Sequence, residues 1–357
     1  MSNVRRLIAC LLVGLGALLL AAAVMIPSYT VDRVAKTPLD LRITTVAKSV
    51  PGEESLVLDS RSLTSPEGSA KVDTNVPVVS QRFLTVEEPS GADEMTVQAG
   101  QTLRRDDRDG DSGILTASID RVTIDRVTGQ PIDAAPNGSI AVTVDKSGAS
   151  VAEESQRRGL QYRFPIGTEK KSYPYFDLNA RATYDIDFLE ETQINGVTVY
   201  HFRQSIPVTN MWDVVQAPTN KLSLPAAKWG LEGDEPVTMT RFYTNTRDLW
   251  VEPKTGAVLK GGEKIHLYYG RSADQVDVTA LKSHIVFDEE TIDAQMGVTQ
   301  KSLDKLSLYG STLPVVLGIA GAIALIAGIV LGLLSGGSSA GRGRAFDPPT
   351  ERIKRNP

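Results

Sequence analysis

The sequence predicts a mainly β protein of the α+β kind: an antiparallel β-rich ectodomain with minor helices, flanked by two transmembrane helices. Three observations predict it. Each end of the 357-residue chain carries an unbroken apolar run. Between them, apolar residues alternate at period two, the mark of half-buried strands. Helix-period patterns in that middle region are few.

Residues 1–6, with Arg5 and Arg6, are the predicted cytoplasmic N-terminus. Leu7–Ile26 (LIACLLVGLGALLLAAAVMI) has no charged side chain, and a helix of that length spans a bilayer core. Arg5-Arg6 before an apolar run also describes a signal peptide, and Ala21-Ala22-Ala23 offers small residues for cleavage. The run continues through Val24-Met25-Ile26 to full spanning length, which favours an uncleaved anchor. Cys10 ends a stretch resembling a lipoprotein box, but no apolar run precedes it, so it reads as lipid-facing filler. Residues 313–334 (LPVVLGIAGAIALIAGIVLGLL) form the second span, and residues 335–357 a basic cytoplasmic tail expected to be disordered. Basic residues lie outside both spans: Arg5 and Arg6 before the first, and Arg342, Arg344, Arg352, Lys354 and Arg355 after the second. The positive-inside rule therefore places both termini in the cytoplasm and residues 27–312 outside the plasma membrane.

Charge narrows the partners. The chain totals −5, yet its two ends together hold five net positive charges, so the exported region carries −10. That sign disfavours nucleic acid as a partner and disfavours lying flat on anionic lipid. The single cysteine lies in a span, so the exported region has no disulfide, as suits a bacterial envelope protein.

Strand patterns run through the ectodomain at Leu39–Val46, Ser139–Asp145, Val197–Ile206 and Lys264–Tyr269, with Val76–Glu88 weakened by Pro77. Asn210–Gln216 reads as a short helix, and Asp288–Tyr309 as a helix leading into the second span. Two stretches nearly rhyme: Asp125–Ile132 (DRVTGQPI) and Glu252–Leu259 (EPKTGAVL). In each an acidic residue opens a turn and a glycine, Gly129 or Gly256, is free to take positive φ. A three-residue hairpin loop with a glycine bulge fits both; a phosphate loop would need more glycines, a lysine and a helix start.

Gly159–Leu189 concentrates aromatics. Tyr162, Phe164, Tyr173, Tyr175, Phe176 and Tyr184 are either core anchors or the lining of a ligand groove, and the sequence leaves both readings open. Catalytic patterns are missing. The three histidines, His201, His266 and His284, are scattered, and no HExxH, GxSxG or CxxC occurs. Ser302 and Lys305 match a bare Ser-x-x-Lys spacing without partner motifs. Asp107, Asp109 and Asp111 alternate as calcium ligands do, but the glycine falls one place late for an EF-hand loop, so the plain reading is an acidic turn. No metal and no cofactor are expected. In the second span Ala320, Ala324, Gly328 and Gly332 recur every fourth residue. Such a ridge lets helices approach closely, towards the first span through Ala17 and Ala21 or towards another protein.

Together the RRDDRDGDSGILTASIDRVTIDRVTG run, the YRFPIGTEKKSYPYFD run, GVTVYHFRQ and the two terminal anchors resemble an actinobacterial membrane family of mycobacterial type. It is a two-anchor family of unknown function, often labelled porin PorA. The resemblance covers nearly the whole chain. It implies a cell-envelope protein linked to maturation of mannose-based lipoglycans such as lipomannan and lipoarabinomannan, and it brings no catalytic residues. In topology alone, two terminal anchors around a β-rich domain also resemble the scavenger receptors of the CD36 type, an analogy that transfers no function.

Three expectations follow. The first is a non-enzymatic protein that binds or presents lipid or lipid-linked mannan during lipoglycan maturation. The second is a membrane scaffold for an envelope glycosyltransferase, held through the Gly/Ala ridge. The third is a carboxylate-dependent glycan enzyme with two acidic groups facing each other in a cleft.

Overall fold

β-Branched and aromatic alternation builds one antiparallel sheet in the computed structural model, which describes residues 2–144 and 150–336. Its strands are β1 (Arg42–Ser49), β2 (Leu56–Asp59), β3 (Lys71–Thr74), β4 (Val78–Glu87), β5 (Glu94–Arg105), β6 (Ile114–Asp125), β7 (Gly138–Val144), β8 (Ser150–Ser155), β9 (Tyr173–Asp177), β10 (Ala182–Ile194), β11 (Val197–Asn210), β12 (Lys221–Pro225), β13 (Pro236–Glu252), β14 (Ala257–Gly270) and β15 (Val278–Phe287). The chain divides into two compact units, residues 35–304 and the two chain ends.

In the first unit the ladder runs β8-β7-β6-β5-β4-β1-β15-β14-β13-β11-β10-β9, with β12 beside β13 and the β2–β3 hairpin beside β15. Two meanders thus spread from the central pair β1–β15. The strands at the two far edges, β8 and β9, are consecutive in the chain. The connection between them, residues 156–172, would have to run almost fully extended to cross a flat sheet of this width, at ~3.4 Å per residue against ~4.8 Å per strand. The sheet curls, and the connection closes it. Arg181, after β9, pairs with Glu153 of β8. Leu160 donates to the Pro174 carbonyl at 2.7 Å and accepts from Phe176 at 2.9 Å.

Packing follows the strand phase. Along β4, Val78, Ser80, Arg82 and Leu84 share the less exposed face, with Gln81 and Phe83 exposed between them. Tyr243, Ile265, Leu281 and Ile285 fill one core; Leu160, Phe164, Tyr173, Tyr175, Ile186 and Phe202 fill a second. The segment from β2 to β3, containing helix α1 (Ser60–Thr64), is pinned by charge. Arg108 donates to Asp59 at 2.9 Å, and Arg105 donates to Asp73 at 2.9 Å and Asp107 at 2.6 Å. Helix α2 (Met211–Val214) is capped by Asn210, and α3 (Glu289–Ser307) opens where Asp288 accepts from the Thr291 amide at 3.0 Å.

The other unit pairs an N-terminal helix, αN (Ser2–Val34), with a C-terminal helix, αC (Leu313–Gly336), the latter preceded by a π-helical turn at Leu308–Thr312. Both pass the length and hydropathy required of membrane spans. Each exceeds its predicted bounds, αN running on through Pro27. Residues 337–357 of the expected tail lie outside the described residues.

The predicted strands recur with shifted ends among the described residues: Leu39–Val46 begins at Arg42, Val76–Glu88 begins after Pro77, Lys264–Tyr269 is the middle of a longer β14, and Asp145, the end of Ser139–Asp145, lies outside the described residues. Both rhyming stretches are hairpins. Glu252 pairs with Ala257, so the loop between them is Pro253–Gly256, one residue longer than expected. In the first hairpin the pairing after the turn is one isolated bridge, Ile124 to Pro131, held by the Asp125 amide donating to the Gln130 carbonyl and the Ile132 amide to the Thr123 carbonyl.

Candidate functional site

Charged side chains in core phase mark the site. On β13, Tyr243, Asn245, Arg247 and Leu249 alternate onto one buried face, and on β14 Glu263 falls in phase with Gly261 and Ile265. Of these, Arg247, Leu249, Gly261, Glu263 and Ile265, with the facing side chains of β1, β4, β5 and β6, surround a cavity of about 140 Å³ inside the curled sheet. Exposed Val142 and Asn179 also line it, and so set its rim.

Arg247 anchors one wall. It donates to Glu263 at 2.8 Å, Asp177 at 2.9 Å and Gln204 at 2.6 Å, and all four residues are buried or nearly so. Burial pushes the Glu263 carboxyl up, but the fields of Arg247 and Arg82, with hydrogen bonds from Arg247 and Asn245, outweigh it and hold the group below the usual carboxylate range. Burial works against the Arg247 charge, yet Glu263 and Asp177 carry its pKa well above the ordinary value. Tyr243 donates to Asp177 at 3.2 Å; burial and then that carboxylate raise its phenol far above the usual value.

Behind the lining residues Gln161, Tyr162 and Phe176 lies Arg157, whose side chain is fully buried. It donates to Asp120 twice, to Gln161 at 2.8 Å and to the Ser139 carbonyl at 3.1 Å. Asp120 also accepts from Gln161 at 3.0 Å and from the Tyr162 hydroxyl. Burial and then Asp120 raise the Tyr162 phenol well above its ordinary value, so it stays a hydrogen-bond donor. Tyr162 sits at φ +68°, a left-handed conformation unusual for a bulky residue, and the Tyr175 hydroxyl accepts from its amide at 3.2 Å.

Three guanidinium–aromatic pairs frame the space: Arg82 over Tyr162, Arg247 over Tyr175 and Arg157 over Phe176, at 5.5, 5.6 and 5.0 Å from the ring centres. Arg82 differs from the other two. It donates Nε and Nη2 to Gln101 at 3.2 and 3.0 Å and has no carboxylate partner among the described residues.

The aromatics singled out in the sequence divide between lining and core. Tyr162, Tyr175 and Phe176 line the cavity. Phe164 and Tyr173 pack edge to face at 5.6 Å in the second core, and Tyr184 lies against the first. The acidic run takes another role. Both oxygens of Asp107 accept from Arg105, Asp109 precedes a 3₁₀ turn, and no cluster that could hold a metal occurs among the described residues. The Asp177 and Glu263 carboxylates meet on one guanidinium instead of facing across an open cleft. Glu263, held below the usual carboxylate range, is a poor general acid near neutral pH.

In the helix pair the ridge is partly displaced. A Cβ on Gly328 would lie 2.8 Å from the Val13 amide nitrogen and 2.9 Å from the Ala9 carbonyl, and one on Gly332 would meet Ala9 at 3.8 Å. Ala320 is exposed and Ala324 half-buried, while Gly321 closes on Gly16. Ala17 and Ala21 are exposed as well. A four-residue step overshoots a 3.6-residue turn by about 40°, so a four-residue ridge leaves a straight contact line within two turns.

Sequence reasoning missed Arg82, Asp120, Arg157, Arg247 and Glu263. The available signal was their strand phase, which aligns charge with apolar neighbours.

The family model described as Porin PorA matches residues 8–330. A protein named Porin PorA from Corynebacterium amycolatum is 31% identical, over 89% of this chain and 96% of its own. Another of that name, from Corynebacterium resistens, is 29% identical, over 92% of this chain and 97% of its own.

Proposed function

From the premise that the chain belongs to the Porin PorA family and is a membrane protein with two apolar helices, we propose that it is a non-enzymatic envelope protein that binds or presents lipid-linked glycans during lipoglycan maturation. Both termini are then cytoplasmic, and the β unit lies outside the plasma membrane. The observation that carries this reading is the cavity: a partly open, hydrogen-bonding space framed by aromatic rings, with the carboxylate that lines it, Glu263, tied to Arg247. Small hydroxyl-rich groups suit such a lining, whereas catalysis would need a free acid or base.

Thermal unfolding of the full chain in detergent, with and without polyprenyl-phosphate mannose or phosphatidylinositol mannosides, tests it. A ligand at about 100 times its Kd stabilises the folded state by about 2.7 kcal/mol, which raises Tm by several degrees. An unchanged Tm with every such compound contradicts the reading.

The relatives' name favours a second reading, a channel. αN and αC pack closely at Gly16, Gly321 and Gly328, and two helices alone do not enclose a pore, so conduction through them would require several chains. Ion conductance of the purified protein in planar bilayers separates the two: reproducible unitary steps support the channel, and silence at high protein density supports the binding protein.

A further inference from the structure

We propose that the cavity is a subsite for one neutral sugar ring, the terminal unit of the bound glycan, held by Arg82, Gln101 and the hydroxyls of β1 and β6. This rests on the glycan-binding reading and adds the size, charge and orientation of what enters.

Size sets the first limit. A cavity of about 140 Å³ matches the ~150 Å³ engineered cavity that holds one benzene and falls below the ~300–1,000 Å³ of most drug-sized ligand sites; a hexopyranose has about twice the heavy atoms of benzene, so one ring fills the space with part of it left at the open rim. An acyl chain or an oligosaccharide does not fit. The exposed rim at Val142 and Asn179 lets one ring enter while the rest of the chain stays outside.

Charge sets the second. Arg247 faces two carboxylates, Asp177 and Glu263, and Arg82 supplies the second positive charge of the group. The four sum to zero. Arg82 makes no ion pair, but its field falls on Glu263, so an entering ion would exchange its hydration for a weak net attraction, an expensive exchange in a buried site. A neutral polyol does not meet this penalty.

Unused hydrogen-bonding capacity sets the third. Among the described residues, Arg82 Nη1 and the hydroxyls of Thr45, Thr116 and Ser118 line the cavity and bond to nothing, and Gln101 Nε2 reaches Ser80 only at 3.4 Å. Hydroxyls that both donate and accept are the groups that satisfy such a mixture.

Saturation-transfer NMR on the full chain in detergent tests this, with methyl α-mannopyranoside and methyl α-glucopyranoside as neutral probes and mannose 6-phosphate and inorganic phosphate as charged ones. The neutral glycosides should bind. Ser118→Phe, which fills the interior, and Thr116→Trp, which blocks the rim at an exposed position, should each weaken binding at least tenfold with the thermal unfolding curve retained. Preference for phosphate, or glycoside binding unaltered in both variants, overturns the subsite. If wild type retains a lipid-linked glycan yet gives no signal with either neutral glycoside, the subsite falls alone. If it retains neither, the glycan-binding reading falls with it.

Discussion

Gly129 and Gly256, in hairpins far apart along the chain, hold the same backbone angle, φ +69°, and close on the same strap, residues 160–168. Each ends an acid-x-x-Thr-Gly turn. Asp125 accepts from the Val127 and Thr128 amides at 2.9 and 2.7 Å; Glu252 accepts from those of Lys254 and Thr255 at 3.0 and 2.8 Å. The glycine amides donate back to the Asp125 and Glu252 carbonyls at 3.0 and 2.9 Å. Phe164 then donates to the Gly256 carbonyl, Ile166 to Val127 and Thr168 to Pro253. The repeated phrase is thus a pair of clamps on the connection that closes the sheet beside the cavity.

The two clamps should respond unequally to alanine. Positive φ costs an L-residue about 1–2 kcal/mol at either position. A Cβ at Gly256 would also lie 2.1 Å from the Phe164 carbonyl oxygen, against 3.3 Å from that of Arg163 at Gly129. Urea unfolding should show Gly256→Ala less stable than Gly129→Ala by a further ~1–3 kcal/mol of overpacking. Equal losses would place the strap elsewhere.

Removing Arg247 should be severe. Arg247→Met leaves Asp177 and Glu263 buried without their shared cation, a change that typically costs about 3–5 kcal/mol. Neutralising both acids in the same chain, as Arg247→Met/Asp177→Asn/Glu263→Gln, should recover most of the loss in equilibrium unfolding. No recovery would mean that packing, not charge, is what Arg247 supplies.

Acid should weaken the β unit. The Glu263 carboxyl is held below its unfolded value, as are Asp59 and Asp73, whose leading causes are hydrogen bonds from Arg108 and Arg105. A carboxyl with a depressed folded pKa contributes its stability in full above the unfolded value, about 4, and loses it as pH falls through the folded one. Tm should therefore be level with respect to these groups from pH 7 to about 5 and drop progressively below about 4. A Tm that rises on acidification from pH 5 to 3 would contradict the pairing.

The helix pair offers a sharper contrast. Gly328→Leu drives a side chain into the Val13 and Ala9 backbone, whereas Ala320→Leu adds bulk to an exposed position. Cysteine cross-linking between αN and αC in membranes should be lost in the first variant and kept in the second. Loss in both would restore the predicted ridge.

Much of the fold was legible because its signals are local. Alternation located the strands, and the Thr-Gly turns announced themselves through the one residue type that takes positive φ freely. The cavity was less so. Tyr162, Tyr175 and Phe176 stood out as aromatics, but nothing local distinguishes them from Phe164 or Tyr173, which the fold places in solid core. Arg82, Arg157 and Arg247 read as surface charge until the sheet curls and turns their faces inward. Ala320 misled for a geometric reason, the drift of a four-residue spacing around the helix.

Native mass spectrometry of the full chain extracted from its own membranes is the most direct test of what the β unit carries. The account predicts a population heavier by the mass of a lipid-linked glycan, released when Thr116→Trp blocks the rim. Bare protein under conditions that preserve bound lipids, together with unitary conductance in bilayers, would contradict it and return the chain to the channel reading.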